Sequence, residues 1–387
     1  MTNKTKVNVA LIGCGFMGRA HSNGLNKLRS FFDLPVEPVK KVLCCRNAET
    51  GARLAERFSW PELATDWQEV VNRPDVDVVD IATPGITHYE IALAAIRAGK
   101  AVICEKPLAS TLVEALFLTE AAERAGVINM CMFNLRTTPA ITLARELIQE
   151  GAIGSINQWR GAFHQGHLVD PNFPLIWRLR KEAAGSGALG DLGSHSIDMA
   201  HFLVGKITEV CGMLHTFTKE RWIPVKDIGR DSIPTDKKGE VTVDDAVWSL
   251  LQFENGARGS MEATRMATGR LMANQFEIFG SQGGLAFNFT NMNELEFFSM
   301  NDPARIRGWR TINVTNPAHP YMKAWWPAGH PIGYEHTFVH AYANFFTALA
   351  EGKPAEPTFR DAAKVQAVME AIEKSDQSRA WTKVEDV

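Results

Sequence analysis

The chain has 387 residues, 45% hydrophobic and 22% charged, enough for more than one globular domain and most simply two. A net charge of −3, with acids and bases mixed throughout, gives no reason to expect nucleic acid or an anionic membrane as partner. No apolar run is long enough to span a bilayer and the polar first residues carry no signal-peptide pattern, so a cytoplasmic protein is expected.

An apolar run over 7–12 reads as a strand. Gly13-Cys14-Gly15-Phe16-Met17-Gly18 follows it and opens a helix, the context in which a G-x-G-x-x-G turn holds a dinucleotide. Gly13 permits the tight turn, Gly15 lets backbone approach a pyrophosphate, and Gly18 lets helix pack on strand. The phosphates then sit over free amides at the helix N-terminus. Further apolar strands over 39–45, 76–81, 101–104 and 128–133 alternate with helical patterns such as 91–98 and 112–125. The strands are apolar on both faces, as a parallel sheet covered by helices requires. Residues 1–136 are therefore expected to form a Rossmann domain of the α/β class. The second strand ends Cys44-Cys45-Arg46-Asn47, without the acid that accepts from ribose hydroxyls. Arg46 suits a 2′-phosphate or stacks on adenine, so the reading is NAD(P), leaning to NADP with NAD left open. Glu105-Lys106-Pro107 follows strand 101–104, at the edge where open α/β sheets bind ligands. There Lys106 can polarise a substrate hydroxyl and stabilise the alkoxide.

From about residue 138 the pattern changes. A helix over 139–150 ends at Gly151, and alternating runs follow over 156–163, 207–218, 241–253, 257–264, 276–279 and 285–289. Asn255-Gly256 and Gln282-Gly283-Gly284 read as hairpin turns. Residues 137–387 are thus expected to form an α+β domain with a large, open, mostly antiparallel sheet. One helix, 191–203, is inserted early, and two more, 335–351 and 360–375, close the chain within this domain. The polar stretch 219–240, with two prolines, reads as a surface loop. On helix 191–203, Asp191 and His195 share a face, with Asp198 three residues on, and a histidine with an acid partner can act as general base near neutrality. His201 lies six residues past His195, about 600° around the helix and so on its far side, which argues against a metal. The six cysteines lie mostly in apolar surroundings without a C-x-x-C and are read as reduced and buried.

These motifs together resemble the Gfo/Idh/MocA family of NAD(P)-dependent oxidoreductases. The resemblance rests on G-x-G-x-x-G-x-x-H from Gly13 to His21, Glu105-Lys106-Pro107, G-x-L-x-D-x-G-x-H-x-x-D from Gly187 to Asp198, and Val243-Asp244-Asp245. Phe31-Phe32 and the segments 133–140, 170–178 and 184–191 look most like the levoglucosan dehydrogenase group of sugar 3-dehydrogenases. The resemblance implies oxidation of a ring hydroxyl, typically C3 of a pyranose, with Lys106, Asp191 and His195 catalytic, His195 the leading acid/base, and the bond before Pro107 cis. It implies cofactor contacts from Gly13, Gly15, Phe16, Met17, Gly18, Cys45, Arg46, Thr83, Pro84, His88, Glu105, Lys106, Asn134, Trp177 and Arg178. Arg136, His164, Gln165 and His167, with Asp191 and His195, are implied on the sugar side, where Trp177 and Arg178 are also candidates. Two departures stand out. Pro84-Gly85-Ile86-Thr87-His88 lacks the asparagine of the relatives' Pro-Asn-x-x-His, and His164-Gln165-Gly166-His167 stands where they carry Gln-Asp-Trp. The second points to a larger or differently substituted sugar or cyclic polyol. A homodimer or homotetramer packed through the sheet face is implied as well. An NAD-dependent glycoside hydrolase of the same fold, working through a 3-keto intermediate, remains the alternative. A nucleotide sensor is disfavoured, because it need not keep the lysine, aspartate and histidine.

Overall fold

Six strands, most of their residues buried, set up the first half of the chain. In the computed structural model, which describes residues 4–227 and 232–387, they are β1 (Lys6–Ile12), β2 (Glu37–Cys44), β3 (Leu63–Ala64), β4 (Val78–Ile81), β5 (Ala101–Cys104) and β6 (Asn129–Cys131). All their pairings are parallel, in the order β3-β2-β1-β4-β5-β6. That is the doubly wound nucleotide-binding order, with its reversal between β1 and β4. The connecting helices are α1 (Phe16–Phe31), α2 (Ala48–Phe58), the short α3 (Trp67–Val71), α4 (His88–Arg97) and α5 (Leu112–Ala125). Side-chain caps fix where three of them begin, Asp66 accepting from the Gln68 amide at α3. Asn47 accepts from the Thr50 amide at α2, and Thr111 with Glu114 forms a capping box at α5.

The second half is built on α6 (Pro139–Gln149), β7 (Ile156–His164), the single turn α7 (Lys181–Ala184) and α8 (Ser194–Leu203), followed by β8 (Ile207–His215), β9 (Glu220–Pro224) and β10 (Pro234–Glu240). Then come β11 (Ala246–Phe253), β12 (Arg258–Thr264), β13 (Ala273–Gly280), β14 (Gly283–Asn288), β15 (Glu294–Ser299) and β16 (Arg310–Asn313). The chain closes with α9 (Tyr334–Glu351), α10 (Phe359–Ser378) and β17 (Thr382–Lys383). Nine strands form one sheet in the order β16-β15-β14-β13-β7-β12-β11-β8-β17, antiparallel except for the β12–β7 pair. Both expected hairpin turns are present, between β11 and β12 and between β13 and β14.

Three expectations need correction. The chain divides into a unit of Met1–Thr138, Ala324–Trp326 and Ile332–Ala363 and a second unit of the remainder. So α9, expected in the second domain, belongs to the first. The reason is its apolar face: Phe338, Tyr342, Phe345 and Phe346 are fully buried, and Gly24 of α1 leaves the room that the Tyr342 ring fills. Part of 219–240 is not loop, because β9 and β10 pair as a two-stranded antiparallel ribbon, residues 228–231 lying outside the described residues. Arg221 of β9 is buried and donates to the carbonyls of Leu168, Asp170 and Phe173, tying down the segment that follows β7. Third, the helix expected from 191 begins as a π-helical turn, Leu189–Gly193, and becomes α-helical only at Ser194. No helix among the described residues is long and apolar enough to cross a membrane.

Candidate functional site

The carboxyl ends of β1, β2, β4 and β5 carry the candidate cofactor residues. Gly13 has φ +121°, and a Cβ there would lie 2.5 Å from the Ala82 carbonyl oxygen, so both backbone angle and space demand glycine. A Cβ on Gly18 would lie 2.2 Å from the Gly13 carbonyl oxygen, which is the close packing of helix on turn. At Gly15 a Cβ would meet nothing within 4 Å, and Gly15 is the N-cap of α1 with no side-chain cap and no acid in the first turn. That leaves open space above free helix amides, the environment that binds a pyrophosphate. Phe16 is exposed beside it, with Met17 partly exposed. The residues present therefore fit a dinucleotide.

At the end of β2 the cysteine reading is overturned. Cys14 and Cys45 are joined in a disulfide, their Cα atoms 5.7 Å apart. Motif spacing does not reveal it, because the partners are 31 residues apart and meet only when parallel strands bring the first and second βα turns side by side. Cys44, Cys104, Cys131 and Cys211 lie outside the disulfide. Cys45 is buried, while Arg46 beside it is exposed. Thr83 and Pro84 follow β4, and Thr87 donates to the Thr83 hydroxyl and the Pro84 carbonyl. His88 is buried with Nδ1 2.8 Å from the Pro107 carbonyl oxygen and Nε2 2.9 Å from that of Thr83, so it ties two turns together. Burial lowers its pKa. Asn134 is also buried, its amide donating to Thr337 of α9.

Lys106 follows β5, is partly exposed, and precedes Pro107 through a cis bond, as expected. Behind it lies a constellation that sequence reading did not assemble. His21 of α1 is fully buried, with Nδ1 2.9 Å from Asp80 Oδ1 and Nε2 2.9 Å from Glu105 Oε1. The Tyr342 hydroxyl donates to Asp80 Oδ2, and the Lys106 amide donates to Glu105 Oε2 at 3.1 Å. Burial opposes charge on His21, but the two carboxylates outweigh it and its pKa is pushed up to about 10. The histidine of the G-x-G-x-x-G-x-x-H pattern was the available signal; its partners lie too far along the chain to be paired from sequence.

In the second unit, Asp191 sits in the π-helical turn and is partly exposed, while His195 opens α8 and is 9% exposed, its ring 6.0 Å from that of Phe163. π-turns inside helices often mark functional sites. Asp244 holds this turn: the Gly187 amide donates to Oδ1 at 2.7 Å and the Leu189 amide to Oδ2 at 2.8 Å. A Cβ on Gly187 would lie 1.9 Å from the Asp244 carbonyl oxygen, so the first glycine of the pattern is a packing requirement. Asp198 is buried on the same helix. His164 is placed differently from expectation. On β7, Phe163 faces His195, so its neighbour His164 turns to the other side of the sheet, 2.8 Å from Glu262, which also accepts from the Trp248 indole. Gln165 and His167 follow in the turn, with the His167 ring 6.2 Å from Phe173. Trp177 and Arg178 form a short 3-10 turn in which the guanidinium lies 4.3 Å over the indole. Arg136 is buried in the turn before α6. Among the described residues no group of three or more His, Cys, Asp or Glu side chains could hold a metal ion.

Comparison with known proteins agrees with both halves. The oxidoreductase-family NAD-binding Rossmann domain matches residues 7–133, and the GFO/IDH/MocA C-terminal domain matches residues 141–286. Levoglucosan dehydrogenase of Pseudarthrobacter phenanthrenivorans is 44% identical over 98% of this chain and 99% of its own. A crystal structure of an oxidoreductase domain protein from Kribbella flavida is 46% identical with a TM-score of 0.94, covering 99% of this chain and 100% of that one. A levoglucosan dehydrogenase structure in complex with NADH is 43% identical with a TM-score of 0.94 over the same shares. With its glycine cradle, its lysine after β5 and its aspartate–histidine helix, the chain belongs to the Gfo/Idh/MocA family of oxidoreductases, whose N-terminal domain is an NAD-binding Rossmann fold.

Proposed function

We propose that this protein is an NAD(P)-dependent dehydrogenase that oxidises a ring hydroxyl, at C3, of a pyranose, glycoside, anhydrosugar or inositol to the ketone. The observation that carries the reading is the open space over Gly15 at an uncapped helix N-terminus, in a chain 44% identical over nearly its whole length to a levoglucosan dehydrogenase. Gly13, Gly15, Phe16, Met17 and Gly18 hold the pyrophosphate, and the residues after β2 and β4 hold the adenosine half. The absence of an acid at Cys45 and the exposed Arg46 favour NADP over NAD. A dinucleotide held by these residues would supply the hydride acceptor for the reaction.

The chain's own residues handle the proton and the charge. Lys106 polarises the reacting oxygen and stabilises the developing alkoxide. His195 takes the hydroxyl proton as general base, and Asp191 binds the sugar and favours the charged imidazole. Gln165 and His167 read the ring substituents, with Arg136, Trp177 and Arg178 as further sugar-side residues. Since His164 faces the other side of the sheet, the substrate reading there narrows to Gln165 and His167. The open sheet face, where Met213 and Leu250 are exposed beside Trp248, Arg160 and Glu262, bounds a cavity of about 840 Å³ and packs two copies together.

Incubation with a panel of inositols, glucosides and anhydrosugars, each with NAD and NADP, tests the reading. Substrate-dependent absorbance of reduced nicotinamide and a ketone product are expected, with NADP at least as effective as NAD. Cleavage of a glycoside without net reduction would put a hydrolase in its place.

A further inference from the structure

The buried cluster behind Lys106 is built from four places in the first unit: α1 (His21), β4 (Asp80), the residue after β5 (Glu105) and α9 (Tyr342). His21 and Asp80 are fully buried, Glu105 is 4% exposed, and Tyr342 is fully buried. Both imidazole nitrogens face carboxylate oxygens, at 2.9 Å each. Only an imidazolium can donate to both, since a neutral ring has one N–H. The cluster is therefore one cation between two anions. Two carboxylates inside the fold would be untenable without it, since a buried charge needs a partner. The chain of bonds does not end inside the core. Glu105 uses its second oxygen on the amide of Lys106, at 3.1 Å. The phenol of Tyr342 closes the other end on Asp80, and the Phe338 ring lies 5.5 Å from the imidazole.

We infer that His21 is a positioning residue for Lys106: as a buried imidazolium it fixes the Glu105 carboxylate, and Glu105 in turn fixes the backbone from which the lysine reaches the reacting oxygen. The inference rests on the proposed role of Lys106 only where it speaks of turnover. The groups facing His21 are Asp80, Glu105 and Tyr342, with the Cys104 thiol beside the two carboxylates. Burial and the neighbouring carboxylates push the Cys104 thiol well above its ordinary range, so it stays neutral. Replacing His21 by a neutral amide leaves two uncompensated carboxylates, one of which must then take up a proton.

The test has two arms. The first needs no substrate. Imidazole ¹⁵N shifts of the wild-type protein should show His21 doubly protonated at pH 8, and the Lys106 amide should exchange at least tenfold faster in His21→Gln than in wild type. The second uses the sugar and cofactor of the panel above. His21→Gln should lose at least thirtyfold in kcat with its Kd for the dinucleotide within threefold. Relative to wild type at the same pH, its kcat should recover as pH falls from 8 to 6, a limb in that ratio which Glu105→Gln added to His21→Gln should remove. A neutral His21 at pH 8, or unchanged exchange at Lys106 in His21→Gln, overturns the inference. So does a fall in kcat without the new limb. If the first arm holds and no sugar is oxidised, the proposed function fails and the positioning role stands. Should His21→Gln not fold, Glu105→Gln alone must speed Lys106 exchange, and protection at the wild-type level there overturns the inference.

Discussion

Gly15 and Gly18 stand three residues apart in one turn, yet the structure assigns them opposite consequences. A methyl group on Gly18 would sit 2.2 Å from the Gly13 carbonyl oxygen, so Gly18→Ala strains the empty protein. Overpacking of this kind costs about 1–3 kcal/mol. A methyl group on Gly15 meets nothing within 4 Å, so Gly15→Ala leaves the empty protein within about 1 kcal/mol of wild type, the scale of a changed N-cap. Its methyl does enter the space assigned to the pyrophosphate. The same overpacking then falls on the complex, and about 1–3 kcal/mol corresponds to roughly 5- to 150-fold in Kd. Denaturation of both variants without cofactor, and calorimetric titration with NAD and NADP, separate the two effects. Gly18→Ala should lower stability first. Gly15→Ala should lower affinity alone. Wild-type affinity for both dinucleotides in Gly15→Ala would show that the space over this helix end is not where the cofactor binds.

Three further outcomes follow. Lys106→Ala should lower kcat by about 10² or more, the scale of one donor to a developing oxyanion, with dinucleotide Kd largely kept; a near-normal kcat removes the lysine from the chemistry. In the wild type, sugar oxidation should gain rate as pH rises through a group titrating near neutrality, because only neutral imidazole accepts a proton, and His195→Ala should flatten that limb and lower kcat. Retention of the limb would make another residue, His167 first, the base. For stability, His21 rises from 6.5 unfolded to about 10 folded, so its contribution is complete below pH 6.5 and is lost as pH climbs through 10. At 1.36 kcal/mol per unit this is on the order of 5 kcal/mol, and the denaturation gap between wild type and His21→Gln should narrow over that range. A gap independent of pH would mean that His21 is not charged in the fold.

The parallel sheet and the glycine turn were legible because their causes are local. Strands such as β4, buried at every position, must read as continuous apolar runs, and Gly13 and Gly18 are demanded by atoms within a few residues or by the next strand end. The Cys14–Cys45 bond and the His21 cluster were not legible, because their partners are 31, 59, 84 and 262 residues apart and only the folded sheet brings them together. The β9–β10 ribbon was hidden by composition. Pro234, Asp236, Lys237 and Lys238 read as loop, yet a two-stranded ribbon tolerates proline and charge at its edges. His164 is a different case. Strand alternation puts it opposite Phe163, so it could be excluded only once Phe163 of β7 was known to pack against His195 of α8.

In the second unit the aspartate–histidine helix depends on Asp244, and this dependence can be tested without touching either proposed catalytic group. Asp244 is 8% exposed and takes the Gly187 amide on one oxygen and the Leu189 amide on the other. Arg265 donates to its backbone carbonyl at 2.8 Å, and burial raises the carboxyl pKa against the pull of that guanidinium. Asp244→Asn keeps the shape and removes the buried charge. It offers one oxygen to two amides, however, and its NH2 must face the other N–H. A buried donor left unsatisfied costs about 1–3 kcal/mol. The strain falls on the turn that places Asp191 two residues beyond Leu189, not on the glycine cradle of the first unit. Asp244→Asn should therefore lower kcat and raise KM for the sugar while dinucleotide Kd stays at the wild-type value. Steady-state kinetics beside cofactor titration reads both. Unchanged kinetics would show that the π-helical turn holds its place without Asp244, and a loss of dinucleotide affinity would show that the damage is general rather than local.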